Sequence, residues 1–158
     1  VANYSEHFLQ AKKNMGFLSR VNSTTPESWD WQVTVSYYIA VHVMNGHLAK
    51  TADLHYNTHE KVKVALSSPT SVCRIPDEIY TSYVKLEGLS RRARYLCHED
   101  SINAGNQHFT YDKHLKKAVK NLDKILIHFD NLYEIGFDRV EISCAELKNS
   151  SLRYFKCT

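Results

Sequence analysis

The residues best suited to chemistry stand together in Ser90-Arg91-Arg92-Ala93-Arg94-Tyr95-Leu96-Cys97-His98. Guanidinium groups bind phosphate bidentately and stabilise charge developing on it, and an imidazole can carry a proton to or from a ribose oxygen. On a helix, Arg94 and His98 are four apart and Arg91 and His98 seven apart, so the three project from one side. Cleavage of an RNA backbone is the reaction such a set would serve. The plainer explanation is that cations favour the last turn of any helix, where they meet the negative end of its dipole.

Other chemistry is poorly represented. His42, His47, His55 and His59 lie close in sequence, but no acid or further histidine falls at a metal-ligand spacing beside His42, so no metal site and no cofactor are expected. His42 is read as a hydrogen-bonded core histidine, His47 and His55 as helix-end and loop residues. There is no Gly-rich phosphate loop, GxSxG or HExxH motif. Cys73, Cys97, Cys144 and Cys157 form no CxxC pair and read as free thiols of a reducing compartment. No run approaches the roughly 20 apolar residues of a membrane span, so the expected location is the cytoplasm, with no membrane partner. A net charge of +3 does not by itself imply nucleic acid, and its distribution matters more.

The elements that must position the basic stretch are helices. Five Gly and three Pro in 158 residues are too few for a turn-rich β architecture, and the length suits one core. Phe8, Ala11, Met15 and Leu18 mark a first helix over His7 to Val21. Thr25 as cap and Pro26 at the first helical position start a second, running to about Lys50. That helix is apolar on nearly every side, so it should be central, with Tyr38 and Val41 inaccessible. Thr58 caps a short third helix ending near Leu66, and Pro76-Asp77-Glu78 open a fourth reaching about Cys97. After a polar loop from Glu99 to Phe109, Thr110 caps a fifth, whose stripe includes Leu115, Val119, Leu122, Leu126 and Phe129, with Gly136 placed to stop it. Its opposite face carries Lys113, Lys116, Lys117, Lys120 and Lys124. If it runs antiparallel to the fourth helix, its first lysines join Arg91, Arg94 and His98 in one positive surface. The expected architecture is an all-α, antiparallel four- to five-helix bundle over residues 1–137. Residues 138–158 form a C-terminal extension in which Arg139 to Cys144 alternates like a short strand and Ser150 to Thr158 has no clear period.

Three segments resemble the HEPN superfamily of helical-bundle proteins from prokaryotic toxin-antitoxin, defence and RNA-processing systems. AKKNMGFL over Ala11–Leu18 is similar to the family's first helix. TVSYYIAVHVMNGHLAK, with the following Thr58-His59-Glu60, is similar to its second helix and the start of its third. Tyr83 to Tyr95, with SRRARY, resembles the stretch bearing the family's Arg, four to six residues, His signature. The resemblance implies a bundle that dimerises and sets two Arg-His motifs beside one cleft for metal-independent RNA cleavage. Arg92 or Arg91 would hold the phosphate and His98 would move protons, with Arg94, Lys113, Lys116, Lys117 and Lys120 binding RNA. Ala93 or Arg92 stands where active members carry Asn after the arginine. The implied alternative is a non-catalytic HEPN module that binds RNA, a nucleotide or a protein such as a nucleotidyltransferase or antitoxin. His59 matches a recurring family position, with a capping or network role expected.

Overall fold

The computed structural model describes residues 1–97 and 108–158. Among these, the elements are α1 (Tyr4–Thr24), α2 (Trp29–Ala52), α3 (His59–Ser67), α4 (Asp77–Tyr95), α5 (Asp112–Tyr133), β1 (Val140–Ile142), a 3-10 turn (Ala145–Leu147) and β2 (Phe155–Cys157). No helix of the described residues is long and apolar enough to cross a membrane.

Local chemistry explains most helix ends and corrects several expected ones. Asn3 and Glu6 form a reciprocal capping box at the start of α1, with the Asn3 side chain accepting the Glu6 N–H at 3.0 Å and the Glu6 carboxylate accepting the Asn3 N–H at 2.7 Å. Thr25 ends α1 rather than starting α2, because its N–H and hydroxyl both donate to the Val21 carbonyl, at 2.8 and 3.0 Å. A threonine hydroxyl serves either helix end, and here the back-bond prevails; α2 therefore begins at Trp29, after Ser28. Thr58 does cap α3, accepting the Lys61 N–H at 3.4 Å. At α5 the N-cap is Tyr111 rather than Thr110, and His114 Nδ1 accepts the Tyr111 N–H at 2.9 Å.

The helix ends also show left-handed residues that are not glycine. Asp53, Leu96 and Glu134 close α2, α4 and α5 at φ of 50°, 53° and 52°. Gly136, expected to stop α5, lies two residues past the true cap and donates its N–H to the Asp130 carboxylate at 2.6 Å. Leu96 ends α4 before Cys97, and its carbonyl accepts the His108 N–H at 2.9 Å.

The core is organised around α2, which packs on α1, α3, α4 and α5. Val33, Tyr37, Ile39, Ala40, Val43, Met44 and Leu48 have no accessible surface, and Val41 is buried. Tyr38, expected inside, is 39% exposed, and Trp31 is 64% exposed. They are seven residues apart, so they share the one strip of α2 that no neighbour covers. Consecutive long helices run antiparallel: Asn22 meets Gln32 across α1 and α2, and Lys124 of α5 reaches Glu78 at the start of α4. The pair α2 and α5 is parallel, since Trp29 lies by Tyr111 at one end and His47 by Phe129 at the other. The starts of α2 and α5 and the finishes of α1 and α4 consequently share one end of the bundle. Gly46 permits a close approach of the Phe8 ring of α1 to α2, because a Cβ there would overlap it.

The C-terminal residues are packed against this bundle. β1 and β2 pair in parallel with Val140 opposite Phe155, and the intervening turn packs on α5. Ile142, Leu147 and Phe155 are fully buried, and Tyr154 nearly so. Three buried or half-buried polar side chains hold the segment down. The Asn22 amide exchanges two hydrogen bonds with the Ser143 backbone, at 2.7 and 2.9 Å, as a neighbouring strand would. Asp123 accepts the N–H groups of Arg153 and Tyr154 at 3.1 and 2.9 Å, and Asp130 accepts the Tyr154 hydroxyl. The apparent lack of period over Ser150–Thr158 follows from this, because short loops and a three-residue strand place side chains individually rather than on one face.

Two stability measurements test this packing. Phe155→Ala should destabilise the protein to chemical denaturation by about 3–5 kcal/mol; an unchanged midpoint would mean the segment is not part of the core. Gly46→Ala gains about 1 kcal/mol of helix propensity but overpacks the Phe8 ring at a cost of about 1–3 kcal/mol, so a lower melting temperature is expected.

Candidate nucleic-acid interface

The three arginines of the basic stretch occupy the last turns of α4, yet they do not act as one cluster. Arg92 turns toward α5 and donates from Nε and Nη2 to the Phe109 carbonyl, at 3.1 and 2.9 Å. It thereby ties the end of α4 to the approach of α5. Arg94 turns toward the start of α2, donates Nε to the Ser90 carbonyl at 3.3 Å, and lies with its guanidinium carbon 5.0 Å from the centre of the Tyr95 ring. Both Arg94 and Tyr95 are exposed, whereas Arg91 is half-buried. His98 lies outside the described residues, as do residues 99–107.

The lysines of α5 lie along its outer face. Lys116 pairs with Glu146 at 3.0 Å, and Lys124 pairs with Glu78 at 3.2 Å. Exposed pairs of this kind contribute at most about 1 kcal/mol, but they offset part of the local positive potential. Lys113, Lys117 and Lys120 are exposed on the same face. Because α5 begins where α4 finishes, Lys113 stands nearest the arginines and the other two extend the positive strip away from them.

Sequence reasoning missed the aromatic component of this end. Trp31 is 64% exposed and Tyr95 65%, and Phe109 and Tyr111 are also exposed. Trp29, partly buried, lies with its ring centre 6.4 Å from that of Tyr111. The Trp31 ring, Asp30, Thr34, Ala93 and Arg94 line a hollow of about 230 Å³ between α2 and α4. A scan for aromatic residues interleaved with cations would have flagged Tyr95 beside Arg94. Trp31 carried no such signal, since it sits in a run that is apolar almost throughout.

The histidines from α1 to α3 take structural positions away from this hollow. His47, expected near a helix end, is buried against α5. Its Nε2 donates to the Cys73 carbonyl at 2.9 Å, which leaves Nδ1 to accept the Tyr133 hydroxyl at 2.6 Å. One tautomer therefore satisfies both partners. His42 is half-buried rather than in the core, with Nδ1 3.2 Å from that of His7, so one ring donates and the other accepts. His59 at the start of α3 lies 3.1 Å from the Tyr37 hydroxyl. His55 bonds Asp53 at 3.0 Å in the connection from α2 to α3.

Burial pushes the pKa values of His7, His42 and His47 down; the charge of His55 adds to this at His7, and that of His7 at His42. For His47 the Cys73 carbonyl opposes the effect and His128 adds to it. The Tyr37 and Tyr83 hydroxyls are pushed above their usual range, chiefly by burial, so neither supplies a phenolate near neutrality.

In comparisons with protein-family models, curated proteins and solved structures, none matches this chain. The chemistry of this end of the bundle is therefore judged from its own residues: cations, exposed rings and a small hollow, arranged where four helix termini meet.

The histidines generate a pH prediction. Each lowered value means the unfolded chain binds protons first, near pH 6.5, so stability should decline as pH falls through that value toward the lower folded pKa values. Denaturation midpoints measured from pH 7.5 to 5 should show this slope, and His47→Gln should flatten part of it while lowering stability above pH 7. A slope of the opposite sign would show that these rings are charged in the folded protein.

Proposed function

We propose that this protein is an RNA-binding helical bundle of the HEPN type, which engages the RNA backbone at the end of α4 and along the exposed face of α5. The observation that carries the reading is the joint exposure of Arg94, Tyr95 and Trp31 at the bundle end where the strip of Lys113, Lys117 and Lys120 begins. Cations contribute sequence-independent attraction to phosphates, and exposed rings offer stacking surface to unpaired bases. Arg92 serves this interface by positioning, since its bond to the Phe109 carbonyl fixes the approach of α5. A pair of such bundles, as a homodimer or with a related partner, would double the basic surface.

A second reading is favoured by the spacing of Arg91 and Arg92 to His98, six and five intervening residues. In it the same surface cleaves RNA without a metal: Arg92 or Arg91 holds the scissile phosphate and His98 moves a proton at a ribose oxygen.

One set of titrations separates these readings. Binding of a labelled single-stranded RNA should be detectable at low salt and should weaken steeply as salt rises, because each neutralised phosphate releases a counterion. Replacing Lys113, Lys117 and Lys120 together by Ala should reduce affinity at least tenfold and lower the salt slope by roughly two to three. Incubation of the same RNA with EDTA present tests cleavage: products formed by the wild type and abolished by His98→Ala would establish the ribonuclease, and intact RNA with tight binding would establish the module. Absence of binding by the wild type overturns both.

A further inference from the structure

We propose that the hollow between α2 and α4, bounded by Trp31 and Arg94, is a nucleobase pocket that holds one unpaired base of single-stranded RNA, with guanine preferred. The inference rests on the RNA-binding reading and adds to it a substrate class and a base preference.

An exposed indole alone means little, since folded proteins expose single apolar side chains routinely. Here Trp31 forms one wall of a concavity whose opposite wall is Ala93 and Arg94, at the end of the bundle where the cations collect. The volume of about 230 Å³ is below the roughly 300–1,000 Å³ of pockets that enclose larger ligands, and it suits one ring system. The indole of Trp31 offers a π face for stacking, and the small side chain of Ala93 leaves the facing wall open. Thr34 is 93% buried, so little of it beyond its contribution to the wall of the hollow meets solvent.

Asp30 decides what kind of ligand fits. A carboxylate beside a phosphate site weakens phosphate binding, so a purely backbone-binding surface gains nothing from Asp30 at this position. A base edge reverses the sign. Ionised Asp accepts hydrogen bonds and cannot donate them. Guanine presents two parallel N–H donors on its Watson–Crick edge, which match the two oxygens of one carboxylate. Uracil presents a single N–H between two carbonyl acceptors, which that carboxylate would repel, and adenine and cytosine each present one amino group beside a ring acceptor. Arg94, anchored at the rim through the Ser90 carbonyl, supplies the charge for the phosphate attached to the same nucleoside. In a duplex the Watson–Crick edge is already paired and the base is stacked, so the pocket selects single strands.

The test uses the full chain and two probes: a short single-stranded oligouridine carrying one central guanosine, and a duplex of equal length, titrated at fixed low salt. The wild type should bind the guanosine-bearing strand more tightly than plain oligouridine, with quenching of tryptophan emission. Trp31→Ala should lose about tenfold in affinity for that strand while duplex affinity stays unchanged, and Trp31→Phe should retain most of it. Asp30→Asn should abolish the difference between the guanosine-bearing strand and plain oligouridine. Equal single-strand affinity for wild type and Trp31→Ala would overturn the pocket but leave the backbone-binding reading standing, provided the lysine variant still loses affinity. Loss of the base preference in Trp31→Ala but not in Asp30→Asn would overturn the role of Asp30. No RNA binding by the wild type would overturn the pocket together with the reading beneath it.

Discussion

Enclosure of α2 is the constraint from which the rest of the architecture follows. A helix with apolar residues around nearly its whole circumference cannot rest on one neighbour, because each uncovered face would leave large side chains in water at roughly 25 cal/mol per Å². It is covered by α1 on one side, α4 and α5 on others and α3, whose His59 meets Tyr37. These demands fix the order of the bundle, including the parallel alignment of α2 with α5. That alignment brings two helix starts and two helix finishes together at a single end.

The enclosure is not supplied by apolar contacts alone. Between the helices lie polar groups whose partners are specific: Asn22 with Gln32 and Ser143, His47 with Cys73 and Tyr133, and Asp123 with the backbone of Arg153 and Tyr154. A buried polar atom left without its partner costs about 1–3 kcal/mol, so each of these bonds discriminates the observed docking from any displaced one. Asn22 and Asp123 matter most for the C-terminal segment, which has too few residues to hold itself in place and relies on side chains of α1 and α5 for its backbone partners.

Charge and aromatic surface collect where the enclosure ends. Trp31 lies on the strip of α2 that its neighbours leave open, and the last turns of α4 carry arginines that no neighbouring helix buries completely. Arg92 and Arg94 diverge around α4, one serving the connection to α5 and the other the hollow by α2. A contact to the approach of α5 and a contact to the hollow are thereby separated within three consecutive positions of the chain.

The sequence by itself determined the helices, because period and capping are local: the stripe of α5, the cap at Thr58 and the fully apolar run of α2 each express an interaction between residues a few positions apart. It also marked the basic stretch and the lysine face, since residue type and helical spacing suffice to place them. What it could not determine depends on partners distant in the chain. The burial of His47 under Tyr133 and the exposure of Tyr38 each turn on which neighbour arrives. The same holds for the fully buried Phe155, whose strand partner is Val140 of β1. Trp31 and Arg94 are more than sixty residues apart, and nothing local in either signals the other. Only the antiparallel docking of α4 on α2 brings them to one hollow, and that docking is decided by burial summed over the whole core.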